Sequence, residues 1–225
     1  MCGRFAAGQL TQKQMLEMME YFLYGTLLPD GSAPTAKPSY HTRPTDLVNL
    51  AFAQDDGFLL SAARWQMRPN GGTRPVINSK IENIDYWRNY WERGRCIIPA
   101  LGYYEWSEVR GRKEPHFITV KRNAPLLFFA GFYEREPGGG YACSIITRKP
   151  SPQIAHLHNR MPVIMTPEDI NDWLTGEITP DAAQTRLGTG WDGRFEYYQV
   201  RPLTGESDGE DLIEPFEPAQ SSFDF

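Results

Sequence analysis

Between residues 95 and 147, five short segments rich in β-branched and aromatic residues follow one another almost without a break. They are Arg95 to Ile98, Tyr103 to Val109, His116 to Lys121, Leu126 to Tyr133 and Tyr141 to Thr147. Most of the breaks are short and carry glycine, as at Arg110-Gly111-Arg112 and from Pro137 to Gly140. Parallel neighbours need crossovers of roughly a dozen residues or more, so breaks of this length predict antiparallel pairing. The expected scaffold is a mainly antiparallel, barrel-like β-sheet.

The flanks add helices and one more hairpin. Leu47 to Ala53 and Phe58 to Gln66 read as strands joined at Asp55-Asp56-Gly57, a strong turn signal. Thr11 followed by Gln14 reads as a capping box opening an amphipathic helix through about Leu23, with Met15, Leu16, Met19, Phe22 and Leu23 as its packing face. Residues 25 to 46 read as a wrapping loop, Pro69 to Pro75 as another, and Asp85 to Glu92 as a short aromatic-rich helix. Thr166-Pro167 and Thr179-Pro180 each place a cap before a proline that starts a helix. Phe195 to Val200 reads as a last strand. No repeat and no linker divides this pattern, so the expectation is one α+β domain over 1–202 with short flanking helices.

Residues 203–225 hold seven acids and no Lys or Arg, and read as a solvated, partly disordered acidic tail. The net charge of −5 is therefore uneven. Residues 1–202 carry 23 basic against 21 acidic residues, so a nucleic-acid partner is not excluded by charge. No run approaches the roughly 20 apolar residues of a membrane span, and no basic-then-apolar leader precedes the domain. A cytoplasmic monomer is expected, associated with the nucleoid when it acts on DNA. Cys2, Cys96 and Cys143 share no CxxC spacing, which argues against a disulfide framework or a zinc knuckle. Cys96 and Cys143 lie in apolar strands and read as small core residues.

Cys2 is different. If Met1 is removed, Cys2 presents an α-amine and a thiol on adjacent carbons. Such a 1,2-aminothiol traps an aldehyde as a five-membered thiazolidine: the amine forms an imine and the sulfur closes on its carbon. Both groups titrate within reach of neutrality, and modest tuning makes each a nucleophile.

Three other positions carry possible chemistry. Glu105 lies between Tyr104 and Trp106 after a Pro/Gly kink, and period-two alternation puts Tyr103, Glu105 and Ser107 on one strand face. Aromatic neighbours exclude water and should hold this carboxyl partly protonated, as general acid-base work requires; the alternative is a solvated or Arg-paired strand Glu. His158 sits beside Arg160 and reads as an acid or base next to an anion-holding cation, or as an ordinary loop histidine. His156 and His158 lack a third ligand at a supporting spacing, so neither a metal nor another cofactor is expected. Asn78 follows an apolar step, where its amide could orient a reacting group or simply close a turn.

Taken together, Met1-Cys-Gly-Arg-Phe5, Asn78 in Ile-Asn-Ser-Lys-Ile-Glu, the block from Arg95 to Trp106, and His158-Asn-Arg-Met-Pro162 resemble the SOS response-associated peptidase family, also called the abasic-site processing domain. Phe129 to Glu134 and Ser144 to Thr147 extend the resemblance, which covers residues 1 to about 175. It implies a protein that binds single-stranded DNA, or a single-strand/double-strand junction, and traps the aldehyde of an abasic site through Cys2. It also implies self-processing at Met1, with lyase activity at the lesion left open. Cys2, Asn78, Glu105 and His158 would be the catalytic residues: nucleophile, its orienter, proton shuttle, and acid-base at the sugar. Arg4, Lys80 and Arg160 would contact DNA, Lys80 standing where the family usually has Arg, and Trp65 would be a base-stacking wall.

Departures at Trp65-Gln-Met-Arg-Pro69 and Tyr40-His-Thr-Arg-Pro44, and the acidic end, bear on DNA grip rather than on the chemistry. Two rivals remain open at this point. A thiol hydrolase acting on external substrates would turn over a peptide or amide and leave no adduct. A DNA-binding module without catalysis would be indifferent to loss of Cys2.

Overall fold

The structure is a computed structural model that describes residues 2–31, 36–55, 57–121, 126–189, 191 and 193–216. In chain order its elements are β1 (Phe5–Ala6), α1 (Gln12–Glu20), β2 (Leu27–Pro29), β3 (Leu47–Gln54), β4 (Gly57–Arg64), β5 (Asn78–Lys80), α2 (Ile84–Arg93), β6 (Arg95–Ala100), β7 (Gly102–Val109), β8 (Arg112–Val120), β9 (Leu127–Arg135), β10 (Tyr141–Arg148), β11 (Met161–Pro162), α3 (Pro167–Thr175), α4 (Pro180–Thr189) and β12 (Phe195–Gln199). This is the single α+β domain expected. No helix among the described residues is long and apolar enough to cross a membrane.

The larger sheet runs β11-β10-β9-β6-β3-β4-β2. Its pairings are antiparallel from β11 through to β4. It then curls until β10 meets β4 in a short parallel pairing, Tyr141↔Ala63 and Ala142↔Arg64. That contact gives the sheet its barrel-like character. Two further parallel pairings, β2 on β4 and β5 on β10, fall in segments read from sequence as loop or turn. The wrapping loop thus contains a three-residue strand, because Leu27 is buried and its backbone finds an open edge. Strand β11 covers only Met161–Pro162. Beyond it, Val163 and Met165 still donate backbone hydrogen bonds to Ile146 and Phe128.

Turn chemistry explains the hairpins. Arg110 (φ 51°) and Gly111 (φ 76°) are both left-handed between β7 and β8, the conformation that matches strand twist. At the first hairpin Asp55 is left-handed (φ 47°), while Asp56 lies outside the described residues. Thr11 caps α1 with the full reciprocal box to Gln14, and Thr166 caps α3 by accepting from the Asp169 N–H.

Strand alternation divides the core. Ile97, Phe128, Ala130 and Phe132 face outward beneath the helices, where Trp87, Trp91 and Trp173 cover them. Cys96, Ile98, Leu127, Phe129 and Ile145 face inward, and Cys2, Phe5, Trp65 and Tyr103 join that inner cluster. Cys2 and the first strand are therefore part of the interior. A smaller sheet, β1-β7-β8-β12, holds them there: Phe5 pairs Tyr103 and Ala6 pairs Gly102. On its other side Phe5 exchanges backbone hydrogen bonds with Thr42 at 3.3 and 2.9 Å.

Gly102 makes this junction possible. A Cβ there would lie 2.4 Å from Phe117 Cζ and 2.6 Å from Ile118 O, and the carbonyl belongs to the paired strand β8. Gly102→Ala is expected to destabilise the fold by about 2–3 kcal/mol through overpacking, read as a lowered urea midpoint. An unchanged midpoint would mean that β7 and β8 separate freely at this point.

The described part of the acidic segment packs against the domain. Leu212, in a short 3-10 turn, is buried with Tyr40, Tyr104, Phe117 and Val200. Asp208 Oδ1 accepts from the Tyr40 N–H at 2.7 Å, and Phe216 N–H donates to Gln199 O at 2.9 Å. Residues 217–225 lie outside the described residues.

Candidate functional site

Cys2 is fully buried, and its thiol reaches the Arg4 carbonyl at 3.7 Å. Burial pushes the thiol up, and the Glu105 carboxylate raises it further. A thiol in this setting stays protonated near neutrality. It becomes a nucleophile only when a base takes the proton or when substrate alters the surroundings.

Asn78 reaches the backbone of Cys2. It opens β5, pairs across Ile145 of β10, and donates from Nδ2 to the Cys2 carbonyl at 2.9 Å. Its Oδ1 is buried with no hydrogen-bond partner among the described residues. One face of the amide thus fixes the backbone of residue 2, and the other is available to a donor.

Glu105 stands on β7 at 3% exposure, where burial pushes its carboxyl up to about 7. His158 lies on the loop before β11, with Nδ1 3.8 Å from Glu105 Oε1. The Arg160 N–H donates to that same Nδ1 at 3.0 Å, which assigns the ring proton to Nε2. Burial moves His158 downward. Burial drives both members of the pair toward their neutral forms.

Arg160 forms a fork with Glu82, at 2.7 and 2.9 Å, and donates to Thr147 O at 2.6 Å. It braces the loop of His158 against the end of β5. Lys80, exposed on β5, pairs with Thr147. Arg4 donates to Gly3 O at 2.6 Å and to His41 Nε2 at 3.2 Å. His41 Nδ1 contacts Ser207 O at 3.0 Å, which links Arg4 to the packed acidic segment.

Four positions far apart in sequence, Cys2, Asn78, Glu105 and His158, thus converge. Trp65 does not behave as the expected stacking wall. It has no exposure, its ring packs edge-on against Phe5 at 5.1 Å, and its indole N–H donates to Ile77 O at 2.9 Å. With both faces inside the core it supports the N-terminal strand instead. An exposed aromatic lies nearby on α2: Tyr86, 54% exposed, lines a groove of about 530 Å³ that also meets Arg74, Asn78 and Lys80. The sequence reading passed over Glu82 and Thr147. Glu82 lies in the turn after β5, and nothing local marked either residue. Among the described residues no three His, Cys, Asp or Glu side chains converge as a metal would require.

Comparison with known proteins gives a consistent result. The family model described as SOS response associated peptidase (SRAP) matches residues 1–207. The abasic site processing protein YoqW of Bacillus subtilis is 32% identical over 95% of this chain and 99% of its own length. YedK of Escherichia coli, also named an abasic site processing protein, is 26% identical over 96% and 100% of the two chains. Among solved structures, a phage-related protein from Bordetella bronchiseptica superposes with a TM-score of 0.69 at 25% identity, covering 89% of this chain and 95% of its own. A protein from Bacteroides thetaiotaomicron superposes at 0.75 with 18% identity, covering 96% and 100%, and bears on the fold alone.

Proposed function

The chain belongs to the SOS response associated peptidase family, and from that premise we propose that it processes abasic sites by covalent capture at Cys2. The observation that carries this reading is the hydrogen bond from Asn78 to the Cys2 carbonyl, with Glu105 and His158 paired on β7 and the loop before β11. These contacts serve a reaction at residue 2 itself. A cysteine protease acting on an external chain needs its thiol exposed and paired with a base; this thiol is buried and bonded to its own backbone.

In the proposed sequence, removal of Met1 frees the α-amine of Cys2. Asn78 holds the Cys2 carbonyl, and its Oδ1 accepts from the new amine. The amine adds to the C1′ aldehyde of the ring-opened sugar, forming an N–C bond and an alkoxide. A proton released by the adding nitrogen passes to this oxygen, and Glu105, protonated near neutrality, supplies the second proton that lets it leave as water. The thiol proton then passes to a base as sulfur closes on the imine carbon, giving a thiazolidine. Aldehyde plus aminothiol gives thiazolidine plus water, with no oxidation. His158 acts as acid or base at the sugar.

The DNA strand is proposed to run along the groove beside Asn78, with Lys80 and Arg74 facing phosphates. Tyr86 there offers the exposed ring that Trp65 does not, and stacking is indifferent to base identity. The preferred substrate is single-stranded DNA or a junction carrying the lesion.

Intact mass spectrometry before and after incubation with an abasic single-stranded oligonucleotide tests the proposal. The expected protein lacks Met1 and gains the mass of the oligonucleotide less one water. Retention of Met1, or no gain in mass, would overturn it.

A further inference from the structure

Tyr103 precedes Glu105 by two residues on β7, so the two side chains share a strand face. It pairs across Phe5, and the next residue's N–H donates to the Arg4 carbonyl at 3.0 Å, which sets Tyr103 against the N-terminal segment. Its ring belongs to the same inner cluster as Cys2 and packs edge-on against Phe129 at 6.2 Å. Nothing in that packing needs a hydroxyl, since Phe would fill the same space. Yet a hydroxyl is present, has no exposure, and has no hydrogen-bond partner among the described residues.

A buried hydroxyl left unpaired costs stability, and such a group in a native fold calls for a reason. Burial pushes the phenol far up, and the acidic groups of Cys2 and Glu105 raise it further, so it stays a donor throughout the working range. The position is therefore that of a neutral donor kept dry beside the nucleophile and the acid. Resting on the capture reaction proposed above, we infer that Tyr103 is a further catalytic residue, whose hydroxyl donates a hydrogen bond to the oxygen that develops negative charge when the Cys2 amine adds to the aldehyde. The packed ring fixes the oxygen before the substrate arrives, so only rotation of the O–H is needed during the step, an arrangement that favours oxyanion stabilisation. No proton is transferred from it: Glu105 gives the proton and Tyr103 holds the oxygen until it departs as water.

The test is Tyr103→Phe, which keeps the ring and removes only the oxygen. Single-turnover adduct formation with abasic single-stranded DNA is compared with affinity for an oligonucleotide carrying tetrahydrofuran, an abasic analogue with no aldehyde. The expected result is adduct formation slower by about tenfold or more, analogue affinity within twofold, and a melting temperature equal to or above that of the parent. An unchanged rate, or a rate that falls only as far as the analogue affinity does, overturns the inference while leaving capture at Cys2 in place. A parent protein that forms no adduct overturns both.

Discussion

Cys2→Ala is expected to eliminate the denaturation-resistant adduct with abasic DNA, a loss of at least about a thousandfold, while noncovalent binding stays within a few-fold. The chemistry sets the size of the effect. Alanine is small enough to permit Met1 removal, so the variant still presents an α-amine held through its carbonyl by Asn78. That amine can form an imine, but no sulfur lies on the neighbouring carbon to close the ring. The imine hydrolyses on denaturation unless borohydride reduces it. The variant should therefore appear uncrosslinked on a denaturing gel and crosslinked after borohydride treatment. This pair of outcomes separates the thiazolidine reading from its rivals. A module without catalysis would bind DNA equally with and without Cys2 and give no adduct from the parent. A thiol hydrolase would lose turnover of a peptide and form no adduct in either case. An adduct of undiminished yield in Cys2→Ala, without borohydride, would remove sulfur from the mechanism. Folding should not confuse the result, because removing one sulfur from the inner cluster costs about 1 kcal/mol or somewhat more.

The parts of this architecture that depend on neighbours in sequence were legible before any coordinates. The alternation of Tyr103, Glu105 and Ser107, the capping box at Thr11, and the paired left-handed residues at Arg110-Gly111 are local devices, and each lies where the pattern placed it. What depended on remote partners was not legible. The β4–β10 contact that curls the sheet joins residues some 78 positions apart, such as Ala63 and Tyr141, and no turn signal records it. Likewise Leu212 sits in a segment whose seven acids suggest solvent, but its side chain is buried in a cluster with Tyr104 and Phe117. Trp65 illustrates the same limit from the other side: the family resemblance implied an exposed stacking wall, and only the tertiary position of Phe5 shows that its face is covered. Tyr103 was recognised as a companion of Glu105, but its hydroxyl acquires meaning only when the surrounding packing leaves it unpaired.

Glu105→Gln is expected to slow adduct formation by about a hundredfold at neutral pH, the usual scale for removing a positioned proton donor, and to change the pH dependence of both rate and stability. With its carboxyl pushed up to about 7 by burial, the parent holds the transferable proton below that pH and loses it above. The amine behaves oppositely, becoming nucleophilic as it deprotonates, so the parent rate should peak near neutrality. The amide of Gln neither gains nor loses a proton in this range, so the falling limb above about pH 7 should vanish. Stability supplies an independent check with a defined sign. A carboxyl whose folded value lies above its unfolded value of 4.5 gives a contribution that is complete below about pH 4.5 and is lost as pH rises through about 7. Relative to the parent, Glu105→Gln should therefore gain roughly 2–3 kcal/mol of stability between pH 4 and pH 8, read from urea midpoints at the two values. Comparing the two proteins at each pH cancels His41 and the acidic segment, which are common to both. His158 does not cancel fully, because it lies 3.8 Å from the substituted group, and His158→Gln in both backgrounds isolates that coupling. A stability difference that is the same at both pH values would mean that the carboxyl titrates as it does in the unfolded chain and is ionised at neutral pH. Glu105 could then act only as a base, and the proton for water loss would have to come from His158.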